Sequence, residues 1–125
     1  MASQVTLKCA VTSSLYPPGG AAPVVTTSAH ELVADWRPPV LRLRTVGTTP
    51  ISESTYDYSG PTGFRADGFY YARTAQADGR ILLQRAGPTG PSGGILTTIS
   101  PAGTPVRHES SVGSSGWTSI TVCLP

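Results

Sequence analysis

Alternation of apolar and polar positions runs through most of the chain. In residues 5–12, Val5, Leu7, Cys9 and Val11 fall on one face and Thr6, Lys8 and Thr12 on the other, which predicts a half-buried strand. Tyr16-Pro-Pro-Gly-Gly20 ends it and opens a loop to Pro23. Residues 24–27 are β-branched throughout and suit a short strand. Residues 40–46 alternate again, with Leu41 and Leu43 opposed to Arg42 and Arg44. Further strands are predicted at 55–58, with Tyr56 and Tyr58 on one side, at 95–99, and at 117–124. In the last of these, Ile120, Val122 and Leu124 oppose Trp117, Ser119, Thr121 and Cys123.

One segment reads two ways. Ser28-Ala-His-Glu31 matches a capping box, and Leu32, Val33 and Trp36 follow at helical spacing, which suits two helical turns over 29–36. The same residues fit a strand, and the β character of the rest favours the strand. Pro38 and Pro39 end either element. Residues 106–109 suit a short edge strand behind Pro105, and 110–116 a loop of small residues. Gly87-Pro-Thr-Gly-Pro-Ser-Gly-Gly94 reads as a long turn region.

Asp78-Gly79 between two β-rich runs, 69–76 and 80–86, is a hairpin signal. A two-residue type I′ turn there pairs Ala77 with Arg80 and Ala75 with Leu82. One face then carries Tyr71, Arg73, Ala75, Leu82 and Gln84, and the other Tyr70, Ala72, Thr74, Ile81 and Leu83. Neither face is cleanly polar, so one is expected to join the chain's own core and the other to meet a neighbouring subunit; a central hairpin covered on both faces by the same chain is the other reading. Seven to nine short antiparallel strands with turn signals every 8–12 residues predict an all-β fold in one domain, 1–125. A sandwich, a jelly roll and a small barrel all fit, with at most one short helix near 29–36.

Composition narrows the function classes. Charged residues are 13% of 125, about half the usual share, while Ser and Thr contribute 30 residues, Gly 14 and Pro 12. That excludes a helical bundle or coiled coil. The net charge of +2 is too weak to imply nucleic acid as a direct partner. Lys8 is the sole lysine against eight arginines and Asn is absent, a bias that suits a GC-rich genome; Arg chosen for forked interface contacts is the other reading. Residues 1–12 lack a basic-then-apolar signal pattern and no apolar run reaches about 18 residues, so synthesis as a soluble cytosolic chain without a signal peptide is expected, and no membrane contact.

Catalytic and metal-binding arrangements find no support in the spacing. His30 and His108 stand apart from any H-x-x-H or C-x-x-C pattern, and Gly113-Ser-Ser-Gly116 is not a nucleophile elbow. No phosphate or dinucleotide fingerprint implies a cofactor. Asp67-Gly68 and Asp78-Gly79 read as turn formers. Cys9 and Cys123 occupy alternation positions in the first and last strands, where they form either two buried thiols or a disulfide between terminal strands. The candidate interface comprises Arg42, Arg44, Tyr71, Arg73 and Leu82, on the Arg pair of one strand and the unpolarised face of the hairpin.

A small, β-rich chain, low in charge and rich in Thr, Ser, Gly and Pro, resembles small virion structural proteins, in particular phage decoration or cement proteins and minor capsid or spike domains. The resemblance lies in composition along the whole chain. It implies a non-enzymatic protein of the virion that binds and stabilises a capsid lattice, partnered by capsid protein or other virion subunits and by its own copies as a homo-oligomer. A carbohydrate- or peptide-binding β-module is the alternative, with the Tyr56–Tyr58 and Phe69–Tyr71 aromatics as its candidate surface.

Overall fold

The computed structural model describes residues 3–87 and 94–125. Ten strands follow one another: β1 (Ser3–Leu15), β2 (Val24–Arg37), β3 (Val40–Val46), β4 (Glu53–Asp57), β5 (Gly63–Phe64), β6 (Tyr70–Ala75), β7 (Ile81–Ala86), β8 (Gly94–Ile99), β9 (Pro105–Ser114) and β10 (Trp117–Leu124). All belong to one antiparallel sheet in the order β4-β3-β2-β1-β10-β9-β8-β7-β6-β5. The chain starts in the middle, meanders out to the β4 edge, crosses to the far edge at β5 and meanders back to pair β10 with β1.

That crossing dictates the shape. Ten strands laid flat span about 43 Å at the usual interstrand spacing. The link from Asp57 to Gly63 reaches at most about 20 Å. The sheet must therefore curl until its two edges approach, and it forms a half-barrel.

The concave face carries the core. Registered rows Val5–Ala34–Leu43, Leu7–Leu32 and Trp36–Leu41–Tyr56 run across β1 to β4. Leu7, Leu32, Ala34, Trp36, Leu41, Leu43, Tyr58, Tyr71, Leu83 and Ile99 are buried together, and Tyr56, Phe69 and Ile81 pack against them.

The structure departs from the sequence expectation in three places and decides one segment that read two ways. The described residues form ten strands rather than seven to nine. Residues 29–36 lie wholly within β2, the favoured of their two readings, held by β1 throughout and by β3 from Glu31 onward, and the capping-box residues start no helix. Residues 110–114 extend β9 rather than forming a loop, because β10 supplies partners as far as Ser114. β9 is also no edge strand. Pro105 is tolerated as its first residue, beside a register shift at Thr98/Ile99 where a ladder donor is dispensable. The expected turn region lies mostly outside the described residues.

The hairpin of β6 and β7 is present, but one residue out of the expected register. Thr74 pairs with Leu82 and Ala75 with Ile81. Gly79 N–H donates to the Gln76 carbonyl at 3.0 Å, and Gln76 N–H to the Arg80 carbonyl at 2.8 Å. A type I′ turn needs positive φ at both central residues, and among the described residues only glycines have it, Gly79 at 91°. The loop thus holds three residues with Gly79 as its left-handed member. The shift reverses one strand's faces relative to the other. Leu83 enters the core with Tyr71 and Ile81, while Leu82 faces outward with Ala72 and Thr74, so the expected grouping of Leu82 with Tyr71 and Arg73 does not occur.

Candidate functional site

Three features of the curled sheet bring chemistry-bearing side chains together. The first is a single row across five strands of the concave face: Thr97, His108, Cys123, Cys9 and His30 are successive register partners. Cys9 and Cys123 are bonded through their sulfurs, with Cα atoms 3.9 Å apart. Among the described residues no group of three or more His, Cys, Asp or Glu is placed to hold a metal. His108 Nδ1 and Thr97 Oγ1 share a hydrogen bond of 2.8 Å. Burial chiefly, with nearby His30 adding to it, lowers the His108 imidazole to about 4 against the opposing pull of Glu109. Near neutral pH it is an uncharged interior group. Glu109 points to the other face, where its carboxylate takes two hydrogen bonds from Arg107, so among the described residues His108 has a hydroxyl partner and no carboxylate partner.

The second feature is an arginine–aromatic cluster where the edge-to-edge crossing meets the hairpin. The Arg85 guanidinium lies 3.5 Å from the Phe69 ring centroid and 5.3 Å from that of Tyr56. Arg85 Nε donates to the Tyr71 hydroxyl at 3.2 Å, which in turn donates to Asp67 Oδ2 at 3.3 Å. Arg65 sits 5.0 Å from the Tyr71 centroid, and Tyr58 meets Tyr71 edge to face at 5.6 Å. These contacts latch the β4–β5 segment onto β6 and β7, combining ring burial with cation–π attraction. The Tyr58 hydroxyl is buried without a hydrogen-bond partner among the described residues, and burial pushes its ionisation upward. Beside the cluster a cleft of about 240 Å³ is lined by Phe69, Arg85, Ile95, Ser110, Ser119 and Thr121.

The third feature is an arm. β1, β2, β9 and β10 outrun their neighbours, so the Leu15 end of this four-stranded ribbon projects past the core. Trp117, Leu15 and Val24 are register partners on one face, with exposures of 40%, 56% and 53%. They flank a groove of about 280 Å³ with Ser13, Thr26 and Thr118. Val25 and Ile120 are exposed on the opposite face. The arm is also without charge: no Lys, Arg, Asp or Glu occurs between Lys8 and Glu31, nor after Glu109.

The residues singled out from sequence are dispersed. Arg42 and Arg44 project from the outer face of β3, Arg42 paired with Glu53 at 3.3 Å and Arg44 exposed. Tyr71 is buried in the core cluster. Arg73 shares its face but is exposed, its guanidinium 5.4 Å from the Trp36 ring. Leu82 is half-buried on the outer face. Tyr71 and Arg73 are thus brought together, and Arg42, Arg44 and Leu82 are elsewhere. Sequence reasoning missed the Leu15–Val24–Trp117 strip. Its signal was the two long uncharged stretches, which become one surface only when β1, β2, β9 and β10 lie side by side. No protein-family model matches the chain, and no curated protein is significantly similar to it.

Proposed function

We propose that this chain is a non-enzymatic structural protein of a viral particle, which docks on neighbouring subunits of a capsid lattice and stabilises them. The observation that carries the reading is the uncharged arm with its exposed Leu15, Val24 and Trp117. Isolated apolar residues on a surface need no explanation, whereas a contiguous strip containing a tryptophan has the composition of an interface centre. Projection beyond the core lets the arm enter a groove between neighbours, and several copies on one particle gain avidity. Arg44 and Arg73 are exposed and suit polar contacts around such an interface.

The test is co-sedimentation of the purified protein with particles lacking it, together with the proteome of the native particle. Wild type is expected to bind, and the Leu15→Ser/Trp117→Ser double variant to remain folded and lose binding by at least tenfold. Equal binding by the double variant overturns the reading.

A carbohydrate-binding module is the second reading, favoured by the cleft that sets Phe69 and Arg85 among the hydroxyls of Ser110, Ser119 and Thr121. A glycan array separates the two, since only this reading expects a hit that Arg85→Ala abolishes.

A further inference from the structure

We infer that the free edge of β2, residues 24–30, is a self-pairing seam through which two copies of this chain join their sheets. The inference rests on the docking reading of the arm and names one partner for it. β2 pairs with β1 from Val24 to Trp36, but with β3 only from Glu31 to Arg37. Among the described residues, nothing pairs with the other edge of residues 24–30. Every second residue there turns its N–H and C=O away from β1, which leaves a row of unused donors and acceptors.

Folded proteins normally blunt such an edge with lysine, proline or a bulge. This one has none of these within residues 24–30: the sequence is Val-Val-Thr-Thr-Ser-Ala-His, and residues 24–29 are all exposed. Four consecutive β-branched residues lead it, a composition suited to strand pairing.

The occupant follows from charge and symmetry. An uncharged edge offers no complementarity to a charged peptide or to nucleic acid, whereas a second copy of the same edge places no like charges opposite each other. Antiparallel pairing about a two-fold axis near Thr27 sets Val25 against Ala29 of the second copy and keeps equivalent sheet faces on the same side. It makes the isologous, closed contact typical of dimers. The apolar strip favours the same arrangement. It runs from Trp117 through Leu15 and stops at the unpaired edge with Val24, so a continued sheet covers its open end. A seam of seven residues buries well below the roughly 1,200 Å² of a stable standard interface, so the expected dimer is a weak, reversible one.

Sedimentation equilibrium of the full chain from about 1 to 200 µM tests this. The expected result is a monomer–dimer equilibrium. Thr27→Glu, at an exposed position, is expected to weaken it at least tenfold with unchanged far-UV circular dichroism and Tm, and Thr27→Val to leave it intact. Monomer throughout the range overturns the seam. So does a dimer that survives Thr27→Glu, including one lost instead in Trp117→Ser. The particle assay is separate: a Thr27→Glu protein that is monomeric yet still binds particles supports the seam and leaves the docking reading standing. A wild type that dimerises through Thr27 but ignores particles overturns the docking reading alone.

Discussion

Thr97 Oγ1 and His108 Nδ1 share a 2.8 Å hydrogen bond between β8 and β9 in the interior, one step along the row from the Cys9–Cys123 bond. The hydroxyl satisfies one imidazole nitrogen, so the ring is held neutral at a position where its charged form loses most of its hydration.

His108 therefore makes stability pH-dependent. Its folded value is lowered to about 4 from 6.5, chiefly by burial. Between those values the unfolded chain binds more protons than the folded one, so this contribution is intact above pH 6.5 and is lost as pH falls toward 4. The loss is about 3 kcal/mol. Urea denaturation at pH 7.5, 5.5 and 4.5 checks it: wild type is expected to lose more stability over this range than His108→Gln, which has no imidazole to protonate.

Reduction of the disulfide should cost about 2 to 4 kcal/mol, toward the upper end because Cys9 and Cys123 are 114 residues apart and the bond constrains nearly the whole unfolded chain. Thermal unfolding with and without dithiothreitol is expected to show Tm lower by about 10 °C on reduction. The Cys9→Ala/Cys123→Ala variant should match the reduced protein and be insensitive to reductant.

Tyr58→Phe is expected to stabilise the fold by about 1 kcal/mol. The substitution keeps the edge-to-face packing on Tyr71 and removes a buried hydroxyl that has no partner among the described residues. Chemical denaturation measures it, and a loss of stability would show that the hydroxyl is hydrogen-bonded in solution.

Leu83→Ala should destabilise by about 3 kcal/mol, since Leu83 is fully buried, and Leu82→Ala by about 1 kcal/mol or less, since it is half-buried on the outer face. The ordering reads out the hairpin register. A larger loss at Leu82 would indicate the pairing of a two-residue turn.

What the sequence determined by itself was the β class and the faces of those strands whose alternation is clean. Leu7 and Cys9 of β1, and Leu41 and Leu43 against Arg42 and Arg44 of β3, lie as the pattern predicts, because a period of two leaves one way to bury every apolar residue. The pattern weakens where propensity and pairing part. Residues 110–114 carry loop-like Ser and Gly, yet form a strand because β10 offers a ladder. Residues 29–36 fit both periods until neighbours on each side select one. At Asp78-Gly79 the dipeptide marks the turn but not its length, and one residue of length exchanges Leu82 for Leu83 in the core. Only the tertiary structure decided that all ten strands share one sheet. The short Asp57–Gly63 link between opposite edges forces the curl, and the curl stacks Arg85 on Phe69 and sets Tyr58 against Tyr71. The arm is tertiary in the same sense. Its two uncharged stretches stand 79 residues apart, from Glu31 through Glu109, and become one exposed apolar surface because β1 pairs with β10.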